Sequence, residues 1–147
     1  MDAFEKQLLL LVEDSPDDVF LTQRALEKAE LLNPVQVVSD GQEAIAYLKG
    51  EGPFSDRAKY PLPIVVLLDL NMPRMNGFEV LEWLRSQPTL KRLVVIILTA
   101  SSRAVDVDRA YNLGANFYLV KTSRFDQFVA MAKSLHGWLR LNHFPSA

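Results

Sequence analysis

The stretch Ile64-Val65-Val66-Leu67-Leu68-Asp69-Leu70-Asn71-Met72-Pro73 constrains this chain most, because a branched apolar run delivers one carboxylate and then breaks. Ile64 to Leu68 have the length and composition of a strand buried on both faces, and Pro73 and Gly77 punctuate the turn beyond. Asp69 then lies where open α/β sheets place their ligand crevices, outside the carboxyl ends of the strands. An acidic residue there can equally lead into the next helix. A second apolar run, Leu8 to Val12, tips the balance, since it ends directly in Glu13-Asp14-Ser15-Pro16. Two adjacent parallel strands would aim Glu13, Asp14 and Asp69 at one small volume. Carboxylates crowded in this way raise one another's pKa unless a cation neutralises them. Oxygen-only ligands of this kind suit Mg²⁺, which usually takes one or two protein carboxylates together with phosphate oxygens and water.

The rest of the chain alternates in the same rhythm. Ser15 can cap a helix with Pro16 at its first position and Asp17 and Asp18 favourable to its dipole, running to about Glu30 with Val19, Thr22, Leu26 and Ala29 on one stripe. Val35 to Val38 reads as a strand, and Asp40-Gly41-Gln42-Glu43 has capping-box spacing for a helix to about Lys49, with Ala44, Ile45 and Leu48 inward. Gly50 to Pro63, with Pro53, Pro61 and Pro63, reads as a surface loop. A helix from about Asn76 to Ser86 follows Asp69, with Phe78, Leu81 and either Leu84 or Arg85 at helical spacing. Next come a strand Leu93 to Leu98 ending in Thr99-Ala100-Ser101, a helix stopped by Gly114, and a strand Asn116 to Val120 ending in Lys121. Ser123-Arg124-Phe125-Asp126 again has capping-box spacing. The last helix should reach about Leu141, with Phe128, Ala132, Leu135 and Leu139 as its core stripe. Such alternation implies right-handed crossovers and a parallel sheet.

With 147 residues, nearly half of them apolar, the expectation is one domain spanning 1–147, with nothing left over for an output domain. A formal charge of −2 with both signs scattered leaves no electrostatic footprint for nucleic acid or anionic lipid. The absence of cysteine excludes disulfides and thiolate metal sites. The amino terminus, Met1 to Gln7, is of mixed charge, and Leu8 to Val12 is too short for a signal or a membrane span, so a soluble cytoplasmic protein is expected.

Each strand near the centre thus ends in a polar group: Glu13-Asp14, Asp69, Thr99 and Lys121. A lysine and a hydroxyl beside an acid cluster are what an array of phosphoryl oxygens needs, because phosphoryl transfer is catalysed mainly by positioning and charge neutralisation. These residues resemble the receiver domains of two-component response regulators. The likeness rests on Leu-Val-Glu13-Asp14, Leu-Leu-Asp69-Leu-Asn71-Met-Pro73 with Gly77, Leu-Thr99-Ala100 and Tyr118-Leu-Val-Lys121. Thr99 follows Asp69 by 30 residues and Lys121 follows Thr99 by 22, intervals that agree as well as the letters. Within the family the chain is most similar to single-domain regulators serving cyanobacterial phytochrome histidine kinases, through Glu51-Gly52-Pro53-Phe54, Lys91-Arg92 and Asp126-Gln127-Phe128.

The resemblance implies a doubly wound, flavodoxin-like sheet in the order 2-1-3-4-5. It makes Asp69 the acceptor of phosphate from a phosphohistidine. Asp14, Asp69 and the backbone carbonyl of Asn71 would hold Mg²⁺, with Glu13 acting through water. Lys121 would pair with Asp69 and then with the phosphoryl group, Thr99 would turn its hydroxyl to a phosphoryl oxygen, and Ala100 would leave room for it. Tyr118 would be the switch aromatic, and Asn71 and Ser101 the positions that tune hydrolysis. The chain departs from the family at Thr122, where proline usually follows the lysine in a cis bond; a trans bond is expected here, since cis without proline costs roughly 3–4 kcal/mol.

Three other readings stand beside this one. An aspartyl-phosphate phosphohydrolase would want an acid two residues after Asp69, where Asn71 stands. A nucleotide or flavin carrier would want a phosphate loop where Glu13-Asp14 lie. The remaining rival is a phosphorylation-independent scaffold. Finally, Phe125, Trp138, Leu141 and Phe144 add apolar bulk outside the core stripe of the last helix. They suggest a homodimer or partner interface through the fourth helix, fifth strand and fifth helix.

Overall fold

A computed structural model of the chain describes residues 4–145; Met1–Ala3, within the mixed-charge amino terminus, and the last two residues lie outside that range. Its strands are β1 (Leu9–Val12), β2 (Val35–Val38), β3 (Val65–Leu68), β4 (Val94–Thr99) and β5 (Phe117–Val120), and its helices α1 (Pro16–Lys28), α2 (Gly41–Lys49), α3 (Gly77–Ser86), α4 (Ala104–Asn112) and α5 (Phe125–Leu141). All neighbouring strands pair in parallel, in the order β2-β1-β3-β4-β5. The apolar runs of β1, β3 and β4 are buried throughout because alternate residues serve opposite cores. Leu10, Val12, Val66, Leu68, Val95 and Ile97 pack under α2 and α3, while Leu9, Leu11, Val65, Leu67 and Ile96 pack under α1 and α5.

Capping chemistry sets most boundaries. Ser15, Asp40 and Asn76 accept the amide hydrogens of Asp18, Glu43 and Glu79 and open the first three helices. Helix α1 stops at Lys28, two residues short of expectation. Glu30 takes the left-handed conformation there (φ 61°), and Leu31 N–H returns to Leu26 C=O. The same turn follows α4, with Gly114 at φ 104° and Ala115 N–H on Ala110 C=O. The expected capping box at Ser123 does not form. Helix α5 opens at Arg124 without a side-chain cap, and the Thr122 hydroxyl accepts the Arg124 N–H just before it.

The 50–63 loop is tied down from inside. Tyr47, fully buried, and Phe54 and Tyr60 form an aromatic cluster with centroids 5.0–6.1 Å apart. Arg57 donates to the carbonyls of Tyr47 and Leu48 at 2.8 and 2.7 Å, closing the end of α2. Of the alternatives for α3, Leu84 fills the core, and Arg85 turns to bond the carbonyls of Lys91, Leu93 and Gly114 and the Asn116 side chain. The peptide bonds of the described residues are trans, Lys121–Thr122 included.

Candidate functional site: an acid cluster at the carboxyl edge

The backbone of each central site residue forms the last rung of a strand ladder. Glu13 N–H donates to Val38 C=O at 3.0 Å, Asp69 N–H to Val12 C=O at 3.1 Å, and Lys121 N–H to Thr99 C=O at 2.7 Å. The sheet therefore fixes where these side chains start, and β1 and β3, being neighbours, bring their acids together. Carboxylate oxygens of Glu13, Asp14 and Asp69 all lie within 4.8 Å of one another. Glu13 is 2% and Asp69 6% exposed, whereas Asp14 opens to solvent.

Lys121 reaches into this cluster and donates to Glu13 in a short contact, to Asp18 at 3.0 Å and toward Asp69 at 3.6 Å. One ammonium thus faces three carboxylates. Burial, reinforced by a hydrogen bond with Asp69 and offset in part by Lys121, pushes the Glu13 carboxyl up to about 8. Burial pulls Lys121 the other way, yet Glu13, Asp69 and Asp18 together hold its pKa above the ordinary lysine value.

The loop from Asp69 to Gly77 is held at both ends. Asn71 N–H lies 3.4 Å from Asp69 Oδ1, and Gly77 N–H donates to Leu70 C=O at 3.0 Å. Gly77 packs on the Asp69 peptide so closely that an added Cβ would stand 2.2 Å from its oxygen. Arg74 anchors the middle of the loop through a 2.6 Å bond to Asp40. Thr99 is fully buried, and its hydroxyl has no protein partner among the described residues. Tyr118, half-buried, donates its hydroxyl to Ser101 C=O at 2.9 Å, while Ser101 Oγ bonds Asp106 at 2.6 Å.

The expected Glu13, Asp14, Asp69 and Lys121 therefore converge, and Thr99, Ser101 and Tyr118 line the adjoining β4–α4 side. Two differences stand out. Glu13 meets Lys121 directly, and Asp18 joins the lysine although its sequence position suggested only a helix-dipole role. The signal for Asp18 was its place three residues after the cap Ser15, because side chains on a helix lean toward its amino end and hence toward the strand edge.

The acid set fits a hard divalent cation: three convergent carboxylates, two of them buried, are offset among the described residues by one shared ammonium.

A doubly wound parallel sheet with such a cluster and a lysine at its carboxyl edge has the architecture of a receiver domain. Residues 9–133 match the response regulator receiver domain family, and the chain belongs to it. It is 34% identical over 142 residues to response regulator Rcp1 of Synechocystis sp., covering 96% of this chain and 95% of that protein. The Mn²⁺-bound form of Rcp1 matches with a TM-score of 0.84 at 34% identity, over 95% of this chain and 99% of that one. The phosphorylated cyanobacterial phytochrome response regulator RcpA matches at 0.87 and 37%, covering 96% and 99%. RPA3017, a response regulator in red light signaling of R. palustris, matches at 0.91 and 36%, again covering 96% and 99%. No helix among the described residues is long and apolar enough to cross a membrane.

Proposed function

We propose that this chain accepts a phosphoryl group on Asp69 from a phosphohistidine of a histidine kinase, with Mg²⁺ bound beside it, and signals by a change in its surface. The observation that carries the reading is the placement of buried Asp69 within 4.8 Å of two further carboxylates and 3.6 Å from Lys121. Asp14, Asp69 and the Asn71 backbone carbonyl would hold Mg²⁺, with Glu13 acting through water. A divalent ion held there would offset the repulsion between an anionic nucleophile and an anionic phosphoryl group.

In the transfer an Asp69 oxygen attacks phosphorus in line, the bond from phosphorus to the histidine nitrogen breaks, and the electron pair leaves with the imidazole. Lys121, keeping its proton, turns from the carboxylates to a phosphoryl oxygen. The Thr99 hydroxyl, buried and unpartnered, is free to donate to another. Ala100, exposed beside it, leaves the entrance open. Tyr118 is the switch: its bond to Ser101 ties it to the segment that Thr99 would pull. Asn71 and Ser101 set the lifetime of the acyl phosphate. An amide at position 71 cannot act as a general acid, which favours a regulator that processes only its own phosphate over a turnover phosphohydrolase.

The likeness to the phytochrome response regulator RcpA, and to RPA3017 of red light signaling, supports a phytochrome histidine kinase as donor. Phe20 and Leu21 are exposed on α1 and offer such a partner an apolar contact. A homodimer through α4, β5 and α5 is the proposed output. Its contact residues are reassigned, since Phe125, Trp138 and Phe144 are partly buried against the core under α5, and Trp138 caps Phe117 edge-on at 4.6 Å. Val105, Tyr111, Phe117, Val120 and Leu141 are the apolar groups this face leaves exposed.

The test is incubation with acetyl phosphate and Mg²⁺, followed by intact mass and base lability. The wild-type chain should gain one base-labile phosphoryl group and Asp69→Asn none. Undiminished labelling of Asp69→Asn would place the acceptor elsewhere.

A further inference from the structure

Lys121 is the one cation that the proposed chemistry needs to move, and its partners compete for it unequally. Its ammonium bonds Glu13 and, at 3.0 Å, Asp18, while Asp69 stands at 3.6 Å. Glu13 and Asp69 both belong to the set of carboxylates that converge on a cation site; Asp18 does not. Once a cation neutralises that set, the pull of Glu13 and Asp69 on Lys121 weakens and the pull of Asp18 persists. Asp18 is well placed to exert it. Its N–H is anchored to the Ser15 hydroxyl at 3.3 Å in the first turn of α1, and its carboxylate is 41% exposed at the rim of the site, where an anionic donor must enter.

We propose, resting on the phosphoacceptor reading above, that Asp18 is a positioning residue for Lys121 which acts as a brake: it holds the ammonium away from Asp69 and competes with the incoming phosphoryl group for it. In transfer from acetyl phosphate, an Asp69 oxygen forms the new bond to phosphorus, the bond from phosphorus to the acetyl oxygen breaks, and acetate leaves with the electron pair. Lys121 gives up no proton and only neutralises charge. A lysine released by Asp18 therefore serves both the donor and the product better.

The test compares second-order rate constants for phosphorylation by acetyl phosphate in saturating Mg²⁺, followed by intact mass. Asp18→Asn should raise the constant about three- to fivefold, the scale of a partly exposed ion pair. Asp17→Asn, an exposed acid in the same helical turn, controls for the helix dipole and should change it less than about twofold. In a Lys121→Met background the gain from Asp18→Asn should vanish, a coupling that a merely structural role would not produce. Mg²⁺ affinity, read by calorimetric titration without a phosphodonor, should stay near wild type in Asp18→Asn. An unchanged or slower Asp18→Asn, an equal gain from Asp17→Asn, a gain that survives in Lys121→Met, or loss of Mg²⁺ binding would each overturn the proposal while leaving Asp69 as acceptor. A wild-type chain that takes up no phosphoryl group would overturn the phosphoacceptor reading and this inference with it.

Discussion

Gly77→Ala joins the fold and the proposed chemistry in one substitution. The glycine opens α3 directly against the peptide it must serve, and a Cβ there would lie 2.2 Å from Asp69 O, 2.8 Å from Leu70 Cα and 3.0 Å from Asp69 C. Optimal carbon contacts begin near 3.5 Å, so the helix start and the Asp69 peptide must part by about 1 Å. Every opposing atom is backbone, so no rotamer relieves the contact. Overpacking of this kind costs about 1–3 kcal/mol, which in a domain of this size lowers Tm by roughly 3–10 °C. The displaced group carries the proposed acceptor carboxylate itself, and a misplacement of about 1 Å can cost on the order of a hundredfold in rate. Phosphorylation by acetyl phosphate, measured beside thermal unfolding, should show both losses. Gly137→Ala is the matched control: it lies within α5 with nothing within 4 Å of its added Cβ, and it should stabilise the chain by about 0.5–1 kcal/mol without changing the rate. A Gly77→Ala chain with wild-type Tm and wild-type phosphorylation would refute the idea that this contact sets the position of Asp69.

Other expectations follow from the same geometry. Mg²⁺ at about a hundred times its Kd should stabilise the chain by about 2.7 kcal/mol, and Asp14→Ala should weaken the calorimetric affinity at least about tenfold, as loss of a charged ligand does. Arg85→Met removes a guanidinium from three carbonyls and the Asn116 side chain; it should cost about 2–3 kcal/mol in chemical denaturation and leave the phosphorylation rate intact. In EDTA, stability should fall as pH rises from 6 to 8. The folded Glu13 holds its proton up to about 8 against an ordinary value of 4.5, so the native state binds more protons than the unfolded chain across that interval. A denaturation midpoint that rose over that interval would contradict the assigned burial of Glu13.

The sheet was legible because its strands are short branched runs, and α1 and α2 because Ser15 and Asp40 cap them as their spacing suggests. Legibility failed where a local signal met a tertiary competitor. Glu30 adopts a conformation that glycine favours because Leu31 is drawn down beside Leu26 in the core, which ends α1 early. Ser123 does not cap α5, because the helix starts one residue later than its spacing suggests, with Arg124 at the N-cap. Tyr47, polar at its tip, became one of the largest fully buried side chains because Pro61 C=O accepts its hydroxyl at 2.7 Å, a partner 14 residues away. In the site, the residues at strand ends could be read from the chain because the sheet alone aligns them. The Arg74–Asp40 pair could not, since neither residue ends a strand, and Asp18 could be found only from its place on the first turn of α1.

The arrangement at the carboxyl edge is electrostatically unsatisfied by construction. Glu13 and Asp69 are buried, Asp14 faces them, and the one ammonium that reaches them among the described residues is divided among Glu13, Asp18 and Asp69. Well-packed apolar side chains would have made a more stable edge, because buried charge is expensive even when paired. What the chain gains, on the proposed function, is a site whose energy would change sharply when positive charge arrives and again when a phosphoryl group claims Lys121. In the proposed reading Thr99 and Tyr118 translate the second change. Thr99 has a buried hydroxyl without a protein partner, so a new acceptor beside it would meet little competition, and Tyr118 is held by a single bond to the backbone of Ser101 in the loop that follows Thr99. Because the Tyr118 and Asp106 bonds both meet at Ser101, two residues beyond Thr99, the β4–α4 loop is where, in the proposed reading, a local charge event becomes a change of shape.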